Sequence, residues 1–402
     1  MAGASVRIFF LDNLRYLMIL FVVVYHSVGA YATVVPWWFY HDASFFAANI
    51  IRELLDVFIM PVLFFVSGYF VLPSLQKRTV SKFLVDKARR LLIPWVLAVL
   101  IITPLLFYDT PNQNVKPFWK YWLSFMGGFP TQLRFLPHTL TQGPYWFISL
   151  LFAFFVIFVL IYVMTLRRWS GAIAPAERKE ASVRSVLVAL ALFGVLTFVG
   201  YFVCLLFVPD TSWLTLGMFL EFQPTRLVFL VCSFALGVYA QSRQWFVNVG
   251  FPGTPALWGS ISVALGVAYL VIGQPLFGDL AGMTGLSVGL LLPFALVRSF
   301  LILSVLVMLV SVGACYWNRS SRIDREFSAT SYNIYLTHVW FVVLIQGALL
   351  EWLGSSAIKA VIVFLVTLAL SFAVSKWVVG KHGRATAAVL IALFIFCLVV
   401  RP

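Results

Sequence analysis

The chain is predicted to be an all-α, polytopic integral membrane bundle of about ten or eleven transmembrane helices. Three observations predict it. Hydrophobic residues fill 62% of the 402 positions and charged residues only 10%, with a mean hydropathy of +1.00. Several apolar runs exceed the ~20 residues a helix needs to cross a bilayer, where barrel strands would show short alternating segments. The cations, finally, fall in alternate loops. The formal net charge of +14 suits a nucleic-acid partner at first sight, but this alternation is the pattern that sets membrane topology. Membrane lipid is the expected surrounding, and no nucleic acid is expected.

Eleven spans follow in order, at about 14–34, 50–73, 89–108, 144–166, 185–208, 226–241, 256–273, 294–315, 333–352, 356–378 and 385–400. The sixth is short, and 281–315 is long enough to hold a re-entrant piece. No internal repeat is visible, so an inverted-repeat transporter gains no direct support. Loop 74–88 carries Lys77, Arg78, Lys82 and Lys87, with Arg89 and Arg90 just inside the next span. Loops 167–184, 242–255, 316–332 and 379–384 are also basic, whereas 35–49, 209–225, 274–293 and 353–355 have neither Lys nor Arg, and of the intervening loops only the long 109–143 has any, at Lys116, Lys120 and Arg134. The N-terminus is therefore expected in the cytoplasm and the C-terminus outside, in the inner (plasma) membrane. The long outer loop 109–143 holds His138 and is rich in Pro, Phe and Trp. It is read as a lid or acceptor platform, or as a connection lying on the membrane surface. Cys204, Cys232, Cys315 and Cys397 lack metal spacing and read as small core residues. Ala30-Tyr31-Ala32 resembles a signal-peptidase site, but the apolar run before it is long for a signal peptide and contains His26, so no cleavage is expected. A single domain over 1–402 is expected, with a core at about 8–378 and an extra span at about 385–400.

The first span carries two ionisable residues, Arg15 and His26, eleven positions apart. That is about three turns plus 20°, over a rise of about 16 Å, so both project from one face. Ionisable groups at such depth cost several kcal/mol unless they face a protein interior or a wet cavity. His26 lies about 18 Å up the helix, past the midplane of a ~30 Å core. A buried neutral imidazole can act as a general base, and it can equally be a histidine bonded between helices. Arg15 follows Asp12 at i+3 and reads as an interfacial ion pair or as a cation holding a phosphate or carboxylate.

Asp56 on the second span matches His26 in depth, at about 9 Å against about 12 Å below the outer surface. Asp56 or Glu53 could orient the imidazole, with an Arg52–Asp56 pair at i, i+4 as the plainer alternative. Ser67 and Gly68 in FFVSGYF permit close approach of a helix or of an extended ligand arm. Lys87 and Arg90 share a face at the start of the third span, where a nucleotide phosphate would suit them. Trp146 and Tyr145, at the outer end of the fourth span, line an acceptor site or form an interfacial belt. Tyr335 and His338 sit at i, i+3 just inside the cytoplasmic end of the ninth span, as a satisfied polar pair or part of a pathway. Arg52 or Arg298 could read a carboxylate on a bound ligand.

Arg15, ten residues, then His26 resembles the Arg-x10-His motif of membrane-bound acyltransferase family 3. FFVSGYF, the basic pair before Ile93-Pro94, YWFISLLF and SYNIYLTHVWF fall in that family's order, over about 8–378. Within it, LDNLRYLMILFVVVYHS and the stretch from FFVSGYF to LLIP look most like the glucan biosynthesis protein C branch, which is associated with glucan succinylation. The resemblance implies acyl transfer from cytoplasmic acyl-CoA, the donor substrate, to a carbohydrate (glycan) or lipid-linked acceptor at or across the membrane. No permanently bound cofactor and no metal are implied. By position His26 would be the catalytic histidine and Arg15 its motif partner. Lys87 and Arg90 occupy the family's Arg-x-x-Arg site, with a point charge replacing the first planar fork. The pantetheine arm would pass Ser67 and Gly68, and the acceptor would meet Trp146, Tyr335 and His338. Asp56 or Glu53 would orient His26. No soluble esterase-like domain is expected after the membrane part, so the acceptor is expected to fall to the membrane domain or a partner. A transporter or flippase for an acidic or acylated solute is the second reading, and a signalling or scaffold membrane protein the third.

Overall fold

In the computed structural model the structure describes residues 8–34, 37, 40–108, 117–127, 134–137, 142–168, 182–248, 252–277 and 288–400. His138, Lys116 and most of the expected lid lie outside the described residues. The helices are α1 (Phe9–Ser27), α2 (Phe46–Gln76), α3 (Val80–Leu97), α4 (Thr103–Tyr108), α5 (Phe118–Gly127), α6 (Trp146–Arg168) and α7 (Val183–Phe207). They continue with α8 (Pro224–Ser242), α9 (Trp245–Asn248), α10 (Pro255–Phe277), α11 (Val288–Tyr316), α12 (Arg322–Ala348), α13 (Ser356–Ala373) and α14 (Gly380–Val400). Among the described residues nine helical runs are long and apolar enough to cross a membrane. The all-α polytopic bundle is therefore what this chain forms.

Two runs differ from expectation. The tenth and eleventh spans are one continuous helical run, Ser356–Val399. A π-helical stretch, Val374–Val379, and a kink at His382 replace the expected loop. The ninth span starts earlier than its apolar stretch, because Ser321 and Asp324 cap each other's backbone in a capping box and extend α12 to Arg322. That polar first turn lowers its hydropathy but docks on α1. Tyr16 donates to Asp324 at 2.6 Å, and Asn13 bonds the Trp317 and Arg319 carbonyls. The four cysteines are free thiols.

The core is formed by α1, α2, α8, α11 and α12, where Leu14, Met18, Val23, Phe64, Ile302 and Val342 are buried. Apolar side chains on α6, α7, α10 and α13 stay exposed on the outer faces. In a membrane protein such faces meet lipid, so their exposure carries no cost. α2 and α8 run parallel and touch backbone to backbone. A Cβ on Gly68 would collide with the Phe234 carbonyl, and one on Gly237 with the Phe65 carbonyl. The SG pair is thus a helix crossing, and the expected arm passage beside Gly68 is filled by α8.

A small antiparallel sheet lies at the end of the bundle where α1 finishes. β1 (Arg134–Pro137) pairs with β2 (Ser212–Leu216), and β2 with β3 (Leu220–Phe222). Gln142 ties this sheet to the start of α6. Its backbone N–H donates to Glu221 at 2.8 Å, its amide to the Met218 carbonyl at 2.9 Å, and its amide oxygen accepts from Trp95 and Ser149. Gly143 then turns with φ +56°, a value only glycine adopts without strain.

Candidate functional site

The last turns of α1 place Tyr25 and His26 on a cavity of about 160 Å³. α2 contributes Glu53, Asp56, Met60 and Pro61, α8 Arg226, α11 Arg298, and α12 Tyr335. The turn before α6 adds Gly143 and the first residue of α6 Trp146, while the segment before β2 adds Asp210 and β2 itself Trp213. Aromatic faces dominate the wall, and Trp146 meets Trp213 edge to face at 5.5 Å.

His26 Nδ1 lies 2.9 Å from His338 Nε2. The proton positions follow from the next link. His338 Nδ1 lies 2.7 Å from the Tyr335 carbonyl oxygen, which can only accept, so His338 carries its proton on Nδ1. Its Nε2 is then an acceptor, and His26 donates from Nδ1. That leaves the lone pair on His26 Nε2. Gln346 fixes the backbone beneath, donating to the His26 and Ser27 carbonyls at 3.3 Å each and accepting from Trp37 Nε1 at 2.9 Å.

This arrangement corrects three expectations. The partner of His26 is His338, and neither Asp56 nor Glu53 orients the imidazole. His338 also lies deep in the bundle rather than near an end, because α12 begins at Arg322 and sixteen residues rise about 24 Å. Asp56 does not pair with Arg52. It binds Arg226 at 2.5 Å and Arg298 at 3.3 Å. Asp210 completes the square, 2.6 Å from Arg298 and 3.4 Å from Arg226, with a hydrogen bond from Thr225 at 2.8 Å. Burial alone would raise the Asp210 pKa. Arg298 and Arg226, with Thr225 and Tyr201, outweigh burial and hold it at about 2. Glu53 accepts from Tyr269 at 3.2 Å. Tyr335 donates its hydroxyl to the Pro144 carbonyl, and Tyr145 donates to the Leu336 carbonyl at 3.0 Å, so α12 and the α6 turn are stitched together.

Arg15, Lys87 and Arg90 come together at the opposite end of α1. The three are near enough to feel one another's charge, and Arg78 adds to Lys87. Arg15 also bonds Ser328 Oγ at 3.1 Å and Asp12 at 3.3 Å. Lys87 sits 4.4 Å from the Phe155 ring centroid. Between this basic end and the cavity the interior is packed, with Met18, Ile19, Leu63 and Phe64 buried. Ser67 and Gly68 do not line the cavity. The expected open track along α1 is therefore two separate stations.

Sequence reasoning singled out His26, Trp146, Tyr335 and His338 but missed Asp210, Arg226, Trp37 and Gln346 as wall or support. Arg226 had a readable signal, a cation in the first turn of an otherwise apolar span.

Residues 8–376 match the profile of a family described as an acyltransferase domain. No curated protein and no solved structure matches the chain.

Proposed function

Because the chain belongs to this acyltransferase family, we propose that it moves an acyl group from cytoplasmic acyl-CoA to a hydroxyl on a carbohydrate or lipid-linked acceptor. The observation that carries this reading is His26, whose Nδ1 proton is engaged by His338 while Nε2 keeps a lone pair. Such a nitrogen removes a proton from a hydroxyl and returns it to the departing thiolate. The hydroxyl oxygen forms the new ester bond as the carbon–sulfur bond breaks. A direct transfer needs one tetrahedral intermediate and no acyl-histidine.

Arg15, Lys87 and Arg90 would hold the donor phosphates, with Arg the better fit for bidentate contact. The acyl end would reach His26 when the packed stretch near Met18 and Ile19 opens. Trp146, Trp213 and Tyr335 would face the acceptor, and the Asp56–Arg226–Asp210–Arg298 square would bond its hydroxyls. Both cavity cations of that square already have carboxylate partners. Arg298, one of the two cations that could read a succinyl carboxylate, is therefore already engaged. The N-terminal, basic end would face the cytoplasm across a plasma membrane.

The test is release of free CoA from acetyl-CoA by the purified full-length protein with methyl glucoside as acceptor, alongside mass spectrometry of cell-envelope glycans with and without the gene. His26→Ala should abolish thiol release, and Lys87→Ala with Arg90→Ala should raise KM for acetyl-CoA. Solute movement without thioester consumption would overturn the reading in favour of a transporter.

A further inference from the structure

One buried cation is left over when the cavity is accounted for. Arg52 is fully buried on α2, and no carboxylate among the described residues reaches it. Its Nη1 donates to the Gly29 carbonyl at 3.4 Å and its Nη2 to the Tyr25 hydroxyl at 3.2 Å. The guanidinium lies 4.6 Å from the Tyr25 ring centroid and 5.7 Å from that of Trp37. An uncompensated buried cation costs several kcal/mol, so its retention calls for a counter-charge that forms at some stage of the working cycle.

Tyr25 shows where. A guanidinium has no acceptor, so Tyr25 oxygen must accept from Arg52. The phenol's own proton is then turned elsewhere, and no acceptor among the described residues takes it. Tyr25 lines the same cavity as His26, with ring centroids 5.2 Å apart. Resting on the acyl-transfer reading of this cavity, we propose that Tyr25 is a catalytic residue that donates its hydroxyl proton, as a hydrogen bond, to the carbonyl oxygen of the thioester, with Arg52 as its positioning residue. As the acceptor oxygen bonds the carbonyl carbon, the carbonyl π pair moves onto oxygen. His26 Nε2 holds the acceptor's proton at that moment. The negative oxygen meets the Tyr25 O–H, polarised by Arg52 behind it. When the carbonyl re-forms, the carbon–sulfur bond breaks and His26 returns its proton to sulfur. Donors fixed in advance toward such an oxygen stabilise the transition state more than the bound substrate.

The experiment measures thiol release from acetyl-CoA with methyl glucoside, using the full-length protein in lipid nanodiscs. Tyr25→Phe should lower kcat by ~10²–10³-fold, the scale of a lost oxyanion donor, with KM for acetyl-CoA unchanged. Arg52→Gln should lower kcat less, and the double variant should be no slower than Tyr25→Phe alone, because Arg52 acts through Tyr25. A Tyr25→Phe protein with wild-type kcat, or losses in the double variant that multiply, would overturn the proposal. Where Tyr25→Phe folds poorly, 3-fluorotyrosine at position 25 keeps the shape and makes the phenol a stronger donor. Its kcat should then shift severalfold, and an unchanged kcat refutes the role. His26→Ala separates the two readings. An inactive His26→Ala beside an active Tyr25→Phe leaves the general base and removes the oxyanion donor, whereas the reverse pattern removes the base alone.

Discussion

Replacing His338 by Ala tests the proton order at the centre of the cavity. The side chain is fully buried, its Nε2 accepts from His26 at 2.9 Å, and its Nδ1 is anchored to the Tyr335 carbonyl. Removing it leaves the His26 Nδ1–H without an acceptor, which costs ~1–3 kcal/mol for a buried donor. It also frees His26 to place its proton on Nε2, where the ring can no longer act as a base. In the transition state the His26 ring is an imidazolium whose Nδ1–H is the stronger donor, so the lost acceptor costs it more than the resting ring; at about 1.4 kcal/mol per tenfold, a difference of ~1–2 kcal/mol slows turnover ~5–30-fold. The lost tautomer control adds to that, up to the ~10⁴-fold seen when a serine-protease histidine is turned to the wrong tautomer. His338→Gln, whose amide oxygen can stand near the lost Nε2, should recover most of the rate. Thiol release gives kcat, and ¹⁵N NMR of the His26 ring reports which nitrogen holds the proton. A His338→Ala protein within twofold of wild type, or a wild-type spectrum with the His26 proton on Nε2, would refute the assignment.

Two further outcomes are expected. Gly68→Val should unfold the bundle or lower its melting temperature sharply, since the Phe234 carbonyl occupies the space a side chain needs, while Gly259→Ala, with open space around it, serves as a neutral control; equal melting temperatures would refute the crossing. Asp210 is ionised in the fold down to about pH 2, below an unfolded value of about 3.9, so its contribution of about 2–3 kcal/mol is present above pH 4 and fades as pH falls toward 2. The melting-temperature gap between wild type and Asp210→Asn should therefore be constant from pH 7 to 5 and close below 4, and a gap that widens on acidification would contradict the sign.

Hydropathy made the bundle legible, because a spanning helix must be apolar over its whole length. It misjudged the elements whose ends are polar for tertiary reasons. The capping box at Ser321 and Asp324 lengthened α12 by a polar turn that apolar content alone does not reveal, and with it moved His338 next to His26. Helical phase placed Arg15 and His26 on one face of α1, but phase says nothing of what fills the space between them. The carboxylates near His26 in depth were visible, yet their partners were not. Arg226 and Arg298 lie far away in sequence, and two cations outcompete a neutral imidazole for Asp56.

The parallel pair α2 and α8 is joined at two levels. Asp56, about three turns into α2, meets Arg226 in the first turn of α8, and eleven or twelve residues on, Gly68 and Gly237 interlock with the facing backbones. The two joints lie about 17 Å apart along the axes. Two such rungs, one of charge and one of bare backbone contact, make this wall a stiff post that neither slides nor tilts without breaking both. A motion that admitted a donor from the basic end would then come from the facing side, where α1 and α12 are joined by side-chain hydrogen bonds, such as Arg15 to Ser328 and Gln346 to the His26 and Ser27 carbonyls, rather than backbone against backbone. That side carries both histidines, so the gate and the base would move as one body.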